Sequence, residues 1–440
     1  TATLAWVFTG YNVTFAALLL LSGKLADRLG RKPTFLAGLA TFAVASLLAA
    51  AAPTAEVLIA ARVLQAVGSA LIYPASLALL LPQFPISRRS MALGVWGGIA
   101  GLGAVVAPTL GALLVEWAGW RAVFFVNLPF VIAASAAGAV VLRDSEVEGA
   151  RDRFDPVAVP LAALAIGLLV LGIVQAAPWG WGDPRTIACF AAAVVLLVAF
   201  VRRSAHHPAP LLDLALFRIR SFTIGNIVQV VASGPMFGWL VLMPTFFARV
   251  WGWSPLSAGF GVAPVALIGA LLSPPAGRLA DRIGHRALVA GGCAAGALGT
   301  LWWVLFANQQ PNYLTGVLPG IVLAGLGATG CLATATGALM SRVPPRFYSM
   351  AGAARTTIFQ LGLGVGIAVA VSIVDAGDGT TVGPYRVVWC VAATSATVAG
   401  LVMVLLFPQR SRPNSRYVPA SSDKPEGFRA AASQATRDAT

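Results

Sequence analysis

Charge is what this chain has least of. Only 10% of its 440 residues are charged, while 58% are hydrophobic, and the mean hydropathy is +0.82. A soluble domain cannot cover that much apolar side chain, whereas a helix in lipid exposes it freely. Acid is scarcer still. The 16 Asp and Glu residues lie in loops, at the ends of apolar runs or in the C-terminal tail, and none falls mid-run. The 3 histidines, His206, His207 and His285, lie between apolar runs, and the 4 cysteines, Cys189, Cys293, Cys331 and Cys390, are scattered singly inside them. With no Cys-x-x-Cys pair and no Cys/His ligand spacing, neither a disulfide framework nor a metal site is supported. No Ser/His/Asp cluster falls within a run, so the composition speaks against an enzyme. The first run has no basic leader and no cleavage site, which excludes a signal peptide.

What the chain does have is apolar length. Runs near the roughly 20 residues needed to cross a bilayer cover Leu4–Leu21, Pro33–Ala51, Val57–Leu81, Ala92–Val115, Ala122–Leu142, Val157–Gln175 and Thr186–Val201. Beyond these lie Phe222–Phe247, Leu256–Ala276, Ala287–Ala307, Leu314–Met340, Met350–Val374 and Val387–Phe407. Backbone polar groups in lipid must be satisfied within each segment, which predicts an all-α polytopic membrane protein of about 13 spans. The net charge of +14 is not spread evenly. Alternate loops hold nearly all the Lys and Arg, whereas the others carry only Arg121, Arg185, Arg249 and Arg386. That asymmetry marks the basic side as cytoplasmic and speaks against a nucleic-acid groove. It places the C-terminus inside and Thr1 outside.

One decapeptide occurs twice. Gly23-Lys24-Leu25-Ala26-Asp27-Arg28-Leu29-Gly30-Arg31-Lys32 returns as Gly277-Arg278-Leu279-Ala280-Asp281-Arg282-Ile283-Gly284-His285-Arg286. Each copy reads as a short charged loop between two apolar runs. Duplication at matching places points to two related, fused halves, the build of many secondary transporters. Two runs lie between the mid-chain linker and the second copy, but only one precedes the first. The chain also opens on Thr1 rather than Met, so one further span is expected upstream. The expected division is a first bundle over 1–142, a linker with two extra spans over 143–220, a second bundle over 221–407 and a disordered cytoplasmic tail over 408–440.

Three further patterns carry chemistry. Arg62 and Gln65 lie on Val57–Leu81, and a basic residue inside a span costs about 2.5–3.5 kcal/mol. The i, i+3 spacing puts both on one helix face, which predicts a polar cluster turned toward the bundle interior. Ala92–Val115 carries Gly94, Gly97, Gly98, Gly101 and Gly103, then Ala107-Pro108-Thr109-Leu110-Gly111-Ala112, a ridge of small residues suited to close helix packing with a bend at Pro108. Arg355, with Gln360 after it, is the second intramembrane base, either functional or interfacial. Polar or aromatic candidates for a central cavity are Tyr11, Asn12, Trp96, Asn127, Gln229 and Trp239.

Together these patterns resemble the major facilitator superfamily, and most closely its fourteen-helix drug:proton antiporter subgroup. The duplicated Gly-x-Leu-Ala-Asp-Arg-x-Gly segment is similar to the family's loop after the second helix. Arg62-Val63-Leu64-Gln65-Ala66 is similar to its R-x-x-Q-G motif, with Ala66 where Gly is usual. Gly103-x-x-x-Ala107-Pro108-x-x-Gly111-Ala112 is similar to the antiporter signature, with Ala at two Gly positions. Trp120-Arg121-Ala122-Val123-Phe124-Phe125-Val126-Asn127-Leu128-Pro129 is similar to the opening of the subgroup's sixth helix. The resemblance implies two six-helix bundles, the first lacking one helix here, plus the two linker helices. It also implies that Gly23, Asp27, Arg28, Arg31, Gly277, Asp281 and Arg282 form a latch on the cytoplasmic gate, and that Arg62 serves proton transfer. The coupling acid would lie in the helix expected upstream, with Glu56 and Glu116 as its nearest substitutes in this chain.

The function expected is export of hydrophobic or amphipathic compounds such as antibiotics by proton antiport and alternating access. The carrier would be a monomer in the bacterial plasma membrane, needing no cofactor beyond the proton gradient. Transport of a small polar metabolite is the alternative, along with an inactive fragment. A topology reporter fused after Pro408 should read cytoplasm, and one inserted in 180–183 should read the opposite side. The same reading from both would overturn the charge-based orientation.

Overall fold

A computed structural model describes residues 2–85, 88–142, 155–208, 210–344, 347–377 and 379–408. Fifteen α-helices account for nearly all of them. In chain order they are α1 (Ala2–Leu29), α2 (Arg31–Ala50), α3 (Ala55–Leu80), α4 (Arg89–Ala118), α5 (Ala122–Phe125), α6 (Asn127–Val141), α7 (Ala158–Trp179) and α8 (Pro184–His206). They continue as α9 (Arg220–Arg249), α10 (Pro255–Ile283), α11 (His285–Phe306), α12 (Leu318–Ala328), α13 (Thr334–Met340), α14 (Tyr348–Ala376) and α15 (Val382–Leu406). Among the described residues, 12 segments are long and apolar enough to cross a membrane. Helix α4 adds a 30-residue helix with no charged residue from Met91 to Val115. Short π-helical stretches, Tyr313–Val317 and Thr329–Ala333, precede α12 and α13. The expected tail beyond 408 and most of the charged segment between α6 and α7 lie outside the described residues.

The duplicated decapeptide is not a loop. Helix α1 runs through Asp27 and Arg28 to Leu29, and α10 runs through Asp281 and Arg282 to Ile283. An apolar run ends at its first charges, but helical hydrogen bonding does not, and a basic last turn favours the C-terminal dipole. What ends both helices is glycine. Gly30 has φ 99° and ψ 143°, and Gly284 has φ 99° and ψ 149°, a backbone that side-chain-bearing residues rarely adopt. The two copies therefore share one geometry, a sharp joint with the next helix starting immediately at Arg31 or His285.

Helices α1, α2 and α3 pack on one another, with α6 against α2. In the second half α9 packs on α14 and α15, and α11 on α12 and α15. An aromatic core fills that half, built from Trp239, Phe246, Phe247, Trp303, Tyr385 and Trp389. The halves meet along α1–α14, α3–α14 and α4–α10. The small-residue ridge on α4 accounts for the last of these. A Cβ on Gly94 would stand 2.5 Å from the Ser273 carbonyl oxygen of α10, so the backbones touch there. Farther along α4 the fit is lost. Gly103 and Gly111 face open space among the described residues, as does Gly269 on α10. Among the described residues, close packing thus holds at Gly94 and Gly98 and is absent at Gly103 and Gly111. The side chain of Pro108 lies outside the described residues.

Helices α7 and α8 form a hairpin whose α7 lies against both α1 and α14. Its base is fastened by Asp155, 1% exposed, which accepts from Arg203 Nε at 2.7 Å and Nη2 at 2.9 Å. The same carboxylate accepts from the backbone N–H groups of Val157 and Ala158 at the start of α7. The Arg203 guanidinium holds the Asp155 carboxyl below the usual carboxylate range against the opposing effect of burial. A depressed folded-state pKa adds stability that is present at neutral pH and lost only as pH falls below about 4. With Arg203 partly solvated, Asp155→Asn should cost about 1–2 kcal/mol at pH 7. Thermal unfolding in detergent checks this. The gap between wild type and variant should be widest at neutral pH and shrink on acidification, and an equal gap at all pH would refute the ion-pair account.

Candidate functional site

At the basic end each half reaches across to a helix start in the other. Asp281, near the end of α10, accepts from the backbone N–H of Met91 at 3.3 Å, in the first turn of α4. Its repeat mate Asp27, near the end of α1, faces the Ser349 side chain and the Met350 backbone N–H in the first turn of α14. Here the contact is looser, since neither Asp27 Oδ1 nor Ser349 Oγ has a partner at hydrogen-bonding distance. Arg31 pairs with Asp27 at 3.7 Å and donates to the Ala78 carbonyl at 3.3 Å. Glycine makes the approach possible, because a Cβ on Gly23 would meet the Ala353 Cβ at 2.7 Å.

A second internal repeat underlies this exchange. Pro85-x-x-x-x-Ser90-Met91-Ala92 matches Pro344-x-x-x-x-Ser349-Met350-Ala351 at identical spacing. Both proline carbonyls accept at i+3, from Arg88 N at 2.8 Å and from Phe347 N at 2.9 Å. Exposed N–H groups and the positive end of the macrodipole make each helix start a seat for a carboxylate. The two aspartates are legible from the decapeptide alone, whereas their seats emerge only when the halves are aligned beyond it.

Arg62 lies on α3, half-buried. It donates from Nη1 to Gln65 Oε1 at 2.5 Å and from Nε to the Val7 carbonyl at 3.4 Å, with the Tyr11 ring centroid 4.2 Å from its guanidinium carbon. Gln65, 1% exposed, donates in turn to Ser46 at 2.9 Å, and Tyr11 donates to Ser69 at 2.8 Å. The cluster thus ties α1, α2 and α3 together. Tyr11 is spoken for by this network rather than standing free in a cavity.

An aromatic row leads from there through the first half to α4. Tyr11 stacks on Phe15 at 6.1 Å, Phe15 meets Tyr73 edge-on at 6.2 Å, and Tyr73 meets Trp96 at 5.0 Å. Arg355 of α14 faces the Tyr73 hydroxyl and lies 5.7 Å from the Phe359 ring. It is only 5% exposed, which sets aside the interfacial reading. Its Nε and Nη1 have no hydrogen-bond partner. Neither Arg62 nor Arg355 forms an ion pair among the described residues.

The other candidates scatter. Asn12 is exposed and donates to the Phe8 carbonyl of its own helix. Asn127 starts α6, and Gln360 is half-buried on α14. Gln229 is buried on α9 with neither amide atom partnered. Trp239 is buried against Trp303 at 4.7 Å. It belongs to the packing of the second half, and it lines a cavity of about 30 Å³ there with Cys293 and Cys331. Phe15, Tyr73, Ser46 and Ser69 went unnoticed in the sequence, because only the meeting of three helices gives them a common purpose.

The model of the Major Facilitator Superfamily matches residues 1–202 and 226–439. The chain belongs to that family. It is 34% identical over 363 residues to the tetracenomycin C resistance and export protein of Streptomyces glaucescens, covering 82% of this chain and 67% of that protein. It is 32% identical over 383 residues to the multidrug resistance protein Stp of Mycobacterium tuberculosis, covering 87% and 71%. The structure of the human transporter MFSD10 superposes with a TM-score of 0.67 over 91% of this chain and 83% of that one, and at 16% identity this likeness shows the fold alone. Members of this superfamily are transporters rather than enzymes, in agreement with the reading from composition.

Within this family member the basic-end exchange is open to direct test. A charge at a helix start contributes about 0.3–1 kcal/mol, so its loss should raise local opening about two- to fivefold. In hydrogen exchange, Asp281→Asn should speed exchange in the first turn of α4, and Asp27→Asn in the first turn of α14. Acceleration confined to each variant's own helix would disprove contact across the halves.

Proposed function

We propose that this protein exports hydrophobic or amphipathic small molecules from the cell by alternating access, driven by proton entry. The observation that carries this reading is the asymmetry of the seam between the halves. They are held together at the basic end by the Asp281 and Asp27 contacts and by the Gly94–Ser273 approach. Toward the other end of α4 the glycine ridge faces open space. If the basic end is cytoplasmic, as loop charge predicts, this is the outward-open form of a carrier. Latching the cytoplasmic side while the outer side is open is what an exporter needs when it releases cargo and collects protons.

Relatives support the direction and the cargo. Besides the two proteins above, the chain is 32% identical to a methylenomycin A resistance protein of Bacillus subtilis over 362 residues. Resistance by export fits a site lined by rings and small residues, which binds through area and shape rather than many fixed hydrogen bonds. We assign the Arg62 cluster to the proton side of the cycle. Among the described residues Arg62 is held by uncharged partners, so it keeps its net charge and would favour the ionised form of an acid that approaches it. Two related halves, with five spans described in the first and six in the second, an inserted α7–α8 hairpin, a C-terminus in the cytoplasm and a monomeric carrier complete the proposal.

The test is uptake into inverted vesicles from bacteria expressing the protein, with a panel of amphipathic dyes of each charge type. Respiration acidifies the lumen of such vesicles, and at least one dye should accumulate several-fold and drain when a protonophore is added. Arg62→Ala should lower accumulation about tenfold at equal protein level. Accumulation untouched by the protonophore would remove proton coupling, and no accumulation of any dye would remove export.

A further inference from the structure

We propose that the cargo is a flat aromatic molecule bearing one acidic group, with the acid on Arg355 and the rings along Tyr73, Trp96 and Phe359. This rests on the export reading and gives it a substrate class. The first ground is the state of Arg355. A guanidinium has five N–H donors and stays ionised under all ordinary conditions. Here it is 5% exposed, faces a tyrosine hydroxyl, and leaves Nε and Nη1 without a partner. A buried cation with donors left unsatisfied and no counter-charge is strongly unfavourable, and an anion that supplies both would relieve it. Among the described residues no carboxylate does so, since every ion pair there involves other groups.

The second ground is what surrounds that charge. Arg355 lies at the junction of the halves, where α14 meets α1 and α3. Tyr73 beside it meets the indole of Trp96 at 5.0 Å, and Phe359 below it meets Phe237 at 5.9 Å. Tyr73, Trp96, Phe237 and Phe359 are all half-buried, so part of each residue remains accessible. Tyr73 of α3 and Phe359 of α14 thus flank one cation, and each touches a further ring, Trp96 of α4 and Phe237 of α9. A planar guanidinium receives a carboxylate or ionised phenol through two parallel hydrogen bonds, and rings at 5–6 Å spacing accept a flat body by stacking or edge contact. A lipophilic cation would meet the field of Arg355 with no acid to balance it.

Binding to the purified protein in nanodiscs separates the possibilities, using three probes with one ring system, anthracene-2-carboxylate, 2-(hydroxymethyl)anthracene and 2-(aminomethyl)anthracene. The carboxylate should bind at least tenfold more tightly than the neutral alcohol, and the ammonium probe least. Arg355→Gln should bring the carboxylate to within twofold of the alcohol, Arg355→Lys should keep part of the preference, and Tyr73→Leu should weaken all three. Size-exclusion profiles identify any variant that fails to fold, and the order of the three probes on wild type stands without any variant. Equal or tighter binding of the ammonium probe, or a preference that survives Arg355→Gln, would overturn the proposal. Vesicle uptake of the ammonium or neutral probe but not the carboxylate would leave export standing and remove only the substrate class, whereas uptake of none would count against both.

Discussion

The structure depends on carboxylates meeting helix starts across a boundary. A helix start presents N–H groups with no partner inside the helix, and in a membrane protein water is not always there to satisfy them. In this chain the starts of α4 and α14 lie at the junction of the halves, and each receives an aspartate from the half to which it does not belong. That arrangement explains several otherwise separate features. Glycines at 23 and 94 are needed because the seats lie where backbones cross. The joints at Gly30 and Gly284 are needed because α1 and α10 must run straight to the aspartate and then turn at once. The repeat in sequence is therefore a repeat of one contact made twice with the halves exchanged.

The interior sets a complementary constraint. Two arginines lie between the helices, and among the described residues no acid pairs with either. Arg62 is made tolerable by a carbonyl, an amide oxygen and a ring face. Arg355 has no hydrogen bond for Nε or Nη1. Both sit close to tyrosines whose rings belong to one continuous row. Groups spaced this way let a charge change at one end be felt at the other, because low polarity between them screens little. Proton and cargo sites need not touch to be coupled, provided that each biases the same pair of conformations.

Much of this was legible from residues alone, and the failures are instructive. The spans were legible because lipid imposes a minimum apolar length, and the polar cluster at Arg62 because 3.6-residue periodicity puts Gln65 on its face. The charged repeat was mistaken for a loop because hydropathy falls at Ser22–Lys24, seven residues before the helix ends at Leu29. Only the glycine marks the true joint. The extent of close packing along α4 was not legible for a different reason. Small residues permit close packing without enforcing it, and Gly103 has the same sequence character as Gly94 but no neighbour. The aromatic row was illegible because Phe15, Tyr73, Trp96 and Phe359 lie on four helices, and nothing in a linear chain brings them together.

How tightly the basic end is closed follows from the size of the contacts. One charge at a helix start is worth about 0.3–1 kcal/mol, and up to about 2 kcal/mol where partly buried. Two such contacts bias the closed arrangement by about three- to thirtyfold, and by up to roughly a thousandfold if both are partly buried. The Asp27 side contributes less, since it lacks hydrogen-bonding geometry. A carrier held shut by tens of kcal/mol could not cycle, and one with no bias would leak. A cargo that binds the opposite form even a hundredfold more tightly supplies about 2.7 kcal/mol, comparable to the latch. In the export cycle proposed above, the weakness of the aspartate contacts keeps the two conformations within reach of the binding energy of a single small molecule.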